Sequence, residues 1–128
     1  MKTIRAVLTL LTSLCLLSHA LAGEQPYLAD RLERLLADGR PVVVDFHADW
    51  CPTCRAQAPI IRDLLSKPEF RDLTVLVANY DTELPLRKTL SVSQQSTLVV
   101  FRHGKEVARS TGETSPEKLA ALLRRALS

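Results

Sequence analysis

The chain has 128 residues, 46% of them apolar and 24% charged, with a formal net charge of +3 at pH 7. That length holds one core, and the composition is that of a globular domain rather than a disordered chain. No block of like charge and no interleaving of aromatic with basic residues is present to track a phosphate backbone, so nucleic acid is not an expected partner.

Lys2 and Arg5 precede an almost wholly apolar run from Ala6 to Leu17, and Ala20-Leu21-Ala22 is a small-x-small cleavage site. Residues 1–22 are therefore expected to be a signal peptide, cleaved after Ala22, that exports the rest to the periplasm. The rival is an uncleaved anchor holding the domain on the periplasmic face, but the run falls short of the roughly 20 apolar residues that span a bilayer. Cys15 lies inside the run after Leu14, where a lipoprotein signal wants a small residue. Without the signal, the 17 basic residues lose Lys2 and Arg5 and face 14 acidic ones, a balance of about +1, and two of the three cysteines remain.

Gly23 to Pro26 reads as a short leader. From Tyr27 to Asp38, Leu28, Leu32, Leu35 and Leu36 recur on one helical face, and Gly39 and Pro41 stop the helix. Val42-Val43-Val44-Asp45-Phe46 is a β-branched run without polar alternation, as expected of a central strand covered on both faces. A helix is expected from Cys51 or just after it to about Ser66, kinked at Pro59. Leu73 to Ala78 reads as a second strand, parallel to the first through the helical crossover. Glu83 to Leu90 is a short helical candidate. Thr97 to Arg102 and Glu106 to Thr111 are two strands joined around His103-Gly104-Lys105, an antiparallel hairpin. Thr114 and Glu117 have capping-box spacing, Pro116 suits a first helical turn, and Leu119, Leu122, Leu123 and Leu127 form the stripe of a last helix. The fold class is α/β: a four-stranded mixed sheet with helices on both faces, spanning residues 23–128.

At the first strand-to-helix junction stands Asp49-Trp50-Cys51-Pro52-Thr53-Cys54. Two cysteines in an exported domain admit three readings. As an inert disulfide the pair closes a four-residue loop, which stabilises by roughly 2 kcal/mol at best. As a zinc or copper site it lacks partners, since the mature chain adds only His47 and His103 to the two thiols, whereas a closed zinc site needs four ligands. As a redox pair it fits the helix N-terminus, where backbone N–H groups and the helix dipole stabilise the thiolate that attacks disulfides. Asp45, a carboxylate inside an apolar strand, is expected to have a raised pKa.

This element order, with Val42 to Cys54 at the first junction, Pro59 in the helix, Asp81 after the second strand, Gly104 in the hairpin and Gly112 before the last helix, resembles the thioredoxin family. The resemblance implies a thioredoxin-like fold and a thiol-disulfide oxidoreductase with no dissociable cofactor. It makes Cys51 the nucleophile, Cys54 the resolving thiol and Asp45 the proton acceptor for Cys54. Trp50, Pro52, Thr53, Gln95 and Ser96 then form the surface offered to protein disulfides or dithiols, with a monomer favoured. A reductase or electron relay, recharged by a membrane-embedded thiol donor, is slightly preferred over an oxidant. The alternative from another class is a copper-handling module on the same fold. Two departures mark the chain. Val77 and Ala78 stand where many relatives bring a lysine towards the aspartate, and Ser96 replaces the cis-proline that faces the cysteines. The Gln95–Ser96 peptide is expected to be trans, and the Ser96 hydroxyl to hydrogen-bond Cys51. His47 occupies a position that is often aromatic in the family.

Overall fold

In the computed structural model, whose described residues are 22–128, the β-branched run becomes β2 (Val42–His47), the middle strand of a five-stranded sheet. Cys15 and the expected signal peptide, Ala22 excepted, lie outside the described residues. The other elements are β1 (Gly23–Pro26), α1 (Ala29–Ala37), α2 (Pro52–Leu65), β3 (Thr74–Asn79), α3 (Leu84–Thr89), β4 (Thr97–Arg102), β5 (Lys105–Thr111) and α4 (Pro116–Arg124), with a 3₁₀ turn at Pro68–Phe70. The strand order is β1-β3-β2-β4-β5, parallel among β1, β3 and β2 and antiparallel from β2 through β4 to β5.

Alternation along the central strands divides the core between two faces. Val43, Val75, Leu98 and Val100 pack with Ile61 and Leu64 of α2 and Leu119 and Leu123 of α4. Val42, Val44, Phe46, Leu76, Val99 and Phe101 pack with Leu32 and Leu35 of α1 and Leu86 of α3. A sheet covered on both sides explains why β2 reads as an unbroken apolar run. It also puts Asp45 on the α2 face, opposite Val77 of β3 and Leu98 of β4.

The sheet has five strands where the sequence suggests four. Gly23–Pro26 is a strand rather than a leader, in register from Gly23 with Thr74 to Pro26 with Val77. Its side chains carry no strand signal because backbone groups make the contact: Gly23 N–H donates to Leu73 O at 2.8 Å and Tyr27 N–H to Val77 O at 2.9 Å. Pro26 is tolerated because its nitrogen falls between these donors and faces away from β3 at the sheet edge.

Two local signals land close to their expected places. The hairpin turns on His103 and Gly104, with φ of 51° and 77°, the left-handed pair that a two-residue loop demands. A side chain on Gly104 would meet the Leu36 carbonyl at 3.0 Å. The cap of α4 is one residue later than its spacing implies. Ser115 is the N-cap and its Oγ accepts from Lys118 N–H at 3.3 Å, while Glu113 Oε1 accepts from the N–H groups of Thr114 and Ser115 at 3.0 and 2.8 Å. Glu113 thus supplies from outside the helix the carboxylate that a capping box would take from within.

Candidate active site

The chain leaves β2 at His47, turns through Ala48 to Trp50, and enters α2 with Cys51 as N-cap and Pro52 at the first helical position. Pro52 fits there because its missing N–H would be unpaired in any residue. Cys51 has extended backbone angles, φ −84° and ψ 113°, and its Sγ accepts from Cys54 N–H at 3.1 Å. The nucleophile expected from the sequence is therefore the capping group of its own helix. Cys54 lies one turn on, and both thiols are free and 1% exposed.

Ser96 stands directly before β4 and is 3% exposed. Its Oγ is 3.1 Å from Cys51 Sγ and 3.1 Å from Cys54 Sγ, so the hydroxyl reaches not only Cys51, as expected, but both sulfurs. Its backbone is left-handed, φ 61°, an uncommon conformation for a residue with a Cβ. Both backbone groups are engaged: Ser96 N–H donates to Phe46 O at 2.9 Å, and Ser96 O accepts from Gly112 N–H at 3.0 Å. The N–H that the replacement of proline frees is thus spent inside the fold and is not offered to a partner. Restoring proline here would remove that bond and demand φ near −65°, so the exchange alters the backbone as well as the side chain. Among the described residues no peptide bond is cis.

Burial pushes the Cys51 thiol up, but the hydrogen bonds from Cys54 and Ser96 and the amides of Cys54 and Thr53 outweigh it, and the thiol sits below its ordinary pKa. Cys54 is pushed the other way. Burial raises it, the hydrogen bond and negative charge of Cys51 add to that, and contacts with Ser96 and the Ala48 amide offset only part. One sulfur is a thiolate candidate and its neighbour holds its proton, the division that stepwise disulfide exchange requires.

Asp45 is 5% exposed, and its Oδ1 has no hydrogen-bond partner among the described residues. Burial raises its pKa to about 6, with His47 opposing and Glu24 adding. The register puts Val77 beside it, so the position where relatives carry lysine holds an apolar side chain. No hydrogen bond joins Asp45 to either thiol. The structure brings Cys51, Cys54 and Ser96 together and leaves the expected proton acceptor without a direct bond to any of them.

The rim is made by the residues expected to meet a partner. Trp50 is 56% exposed and its Nε1–H donates to Asp81 Oδ2 at 2.8 Å, which holds the ring beside Cys51. Pro52 is exposed, and Thr53 and Gln95 are half-buried. On the other side of Trp50 a groove of about 380 Å³ is lined by His47, Asp49, Val77, Asn79 and Asp81. His47 Nε2 lies 3.1 Å from Asp49 Oδ1 there, a half-buried histidine in a polar wall rather than a packed aromatic.

Two supporting residues escaped the sequence reading. Gln57, 1% exposed, donates from Nε2 to Ser96 O at 3.3 Å and to Glu113 O at 2.8 Å, tying α2 to the segments before β4 and α4. Its signal was available, since it shares the inward stripe of α2 with Cys54, Ile61 and Leu64. Tyr80 packs against the cysteines and donates its hydroxyl to Ser93 O at 2.8 Å, with the Arg87 guanidinium 3.8 Å above its ring centre. It lies in a loop with no periodic signal.

Comparison with known proteins gives a consistent result. Residues 27–125 match the family model described as Thioredoxin. A thioredoxin of Chlamydia pneumoniae is 35% identical over 95 residues, covering 74% of this chain and 90% of its own length. A thioredoxin-like protein of Fusarium culmorum is 36% identical over 80 residues, 62% of this chain and 66% of its own. The crystal structure of Trxlp from Edwardsiella tarda superposes with a TM-score of 0.77 at 44% identity, covering 79% of this chain and 98% of that one.

Proposed function

The chain belongs to the thioredoxin family and is a thiol-disulfide oxidoreductase, and we propose that it acts outside the cytoplasm as a reductase or electron relay for protein disulfides. The observation that carries the chemistry is the pair of opposed thiols at the head of α2, with Cys51 held low and Cys54 held high. Cys51 thiolate attacks a partner's disulfide and forms a mixed disulfide. Cys54 then attacks Cys51 Sγ, releasing the reduced partner and leaving Cys51 and Cys54 joined.

Asp45 is the proton acceptor for Cys54 in this reading. With no direct hydrogen bond between them, the transfer runs through a water, which general-base catalysis permits. Trp50, Pro52, Thr53 and Gln95 form the docking surface, whereas Ser96, expected there from the sequence, is 3% exposed and turned onto the two sulfurs instead.

One consideration favours the reducing direction. The described residues have only short connections between their strands and helices, leaving no room among them for the helical insertion that disulfide-introducing relatives carry. Export is supported by the basic, apolar and small-residue sequence of residues 1–22, and a reductase in an oxidising compartment needs a donor, for which a membrane-embedded thiol protein is suited. The copper-handling alternative would rest on the two thiols alone, since among the described residues no third His, Cys, Asp or Glu joins them.

A glutathione redox titration of residues 23–128 tests the direction. A potential near about −270 mV is expected, and one near about −120 mV would make the protein an oxidant.

A further inference from the structure

We infer that the Ser96 hydroxyl is a two-position hydrogen-bond donor that stabilises Cys51 in the first half of the exchange and Cys54 in the second. This deepens the thiol-disulfide reading and rests on it. The hydroxyl lies 3.1 Å from each sulfur, yet it has one proton to give. It serves one sulfur as donor at a time.

In the resting dithiol the Ser96 proton points to the Cys51 thiolate, to which the Cys54 S–H also donates. Attack forms the bond from Cys51 Sγ to the partner's sulfur, breaks the partner's S–S bond, and sends the first partner sulfur off as a thiolate with the bonding pair. Cys51 Sγ is then neutral and a poor acceptor, which frees the hydroxyl. Once Cys54 has lost its proton to base, rotation about the Ser96 Cβ–Oγ bond turns the O–H onto the new thiolate. Cys54 then attacks Cys51 Sγ, the bond to the partner breaks, and the second partner sulfur leaves as a thiolate. The dithiol has given up two electrons and the partner's disulfide has taken them.

The geometry suits a rotor whose heavy atoms stay in place. Ser96 is held through its N–H by Phe46 O, and through its carbonyl by Gly112 N–H and by the buried Gln57 amide at 3.3 Å. Its left-handed backbone, φ 61°, aims a short polar side chain between the sulfurs. Proline in this place has no hydroxyl to offer.

The test compares Ser96→Ala with Ser96→Gly. Both remove the hydroxyl, but glycine suits the left-handed backbone whereas alanine does not, so an effect shared by the two is not one of backbone strain. In both, the pH midpoint for iodoacetamide alkylation of Cys51 is expected to rise by about one unit, equivalent to roughly tenfold less thiolate at a given pH below it. In stopped flow with Ellman's reagent in excess, the first phase reports attack by Cys51, and the second, independent of reagent concentration, reports attack by Cys54. That second phase is expected to slow roughly tenfold as well. A normal second phase in both variants, or an unmoved alkylation midpoint, overturns the two-position role. A wild-type protein showing neither phase would overturn the exchange reading itself.

Discussion

Replacing Asp45 with asparagine is expected to flatten the dependence of stability on pH between about pH 4 and 7.5. In the folded protein burial lifts this carboxyl from 3.8 to about 6. A carboxyl raised on folding binds its proton more tightly in the native state, so stability is greatest below the unfolded pKa and falls as pH rises through the folded one. At about 1.4 kcal/mol per pKa unit, Asp45 is expected to cost the wild type about 2 kcal/mol of stability across that window. Asparagine has no proton to lose. The cost of burying its amide is the same at both ends of the window and cancels when the two pH values are compared. Urea unfolding of the reduced proteins at pH 4 and 7.5 measures the difference, and parallel pH profiles would show that Asp45 ionises in the fold without penalty. On the proposed role of Asp45 as proton acceptor, the same variant slows the step in which Cys54 loses its proton. Natural sequences often carry such strain at functional sites.

Cys51→Ser is expected to abolish reduction of insulin disulfides, lowering the rate by at least about a thousandfold, because a serine hydroxyl is scarcely ionised near neutral pH and is no nucleophile towards sulfur. Folding should survive, for a structural reason. Cys51 is the N-cap of α2 and accepts from Cys54 N–H, and serine is among the preferred residues for that task. An inactive variant with an unchanged urea midpoint therefore separates the chemical role of Cys51 from its capping role. Retained activity would mean that Cys54 or another group can start the exchange.

Much of this arrangement was legible in the sequence where side chains and elements correspond directly. The β-branched run from Val42 announced a strand buried on both faces. The thiol pair at the head of a helix announced thiolate chemistry, and the isolated Asp45 announced a raised pKa. Backbone-driven features were not legible. Gly23–Pro26 joins the sheet through main-chain hydrogen bonds, so no apolar alternation marks it. The left-handed turn at Ser96 is set by its ties to Phe46 and Gly112, far away in sequence. The sequence raised the possibility of a bond from Ser96 to Cys51, but equal reach to Cys54 depends on how β4 meets α2. Gln57 lay in plain view on the α2 stripe, but a single polar residue there is ambiguous until its two carbonyl partners are known.

The absent lysine and the polar groove at His47 bear on the same question. With Val77 beside Asp45, no cation from β3 draws the carboxyl towards its charged form, and His47 is the group that opposes burial. The Asp45 carboxyl is therefore set by burial, with no ion pair from β3 to draw it towards its charged form.

The division of labour between the two sulfurs is tested most directly by trapping. Cys54→Ser, incubated with insulin under native conditions, should accumulate a stable mixed disulfide, and peptide mapping by mass spectrometry should place it on Cys51. A Cys51→Ser protein that traps insulin through Cys54 at a comparable rate, with no adduct on Cys51 in the Cys54→Ser protein, would contradict the assignment of Cys51 as the attacking thiolate.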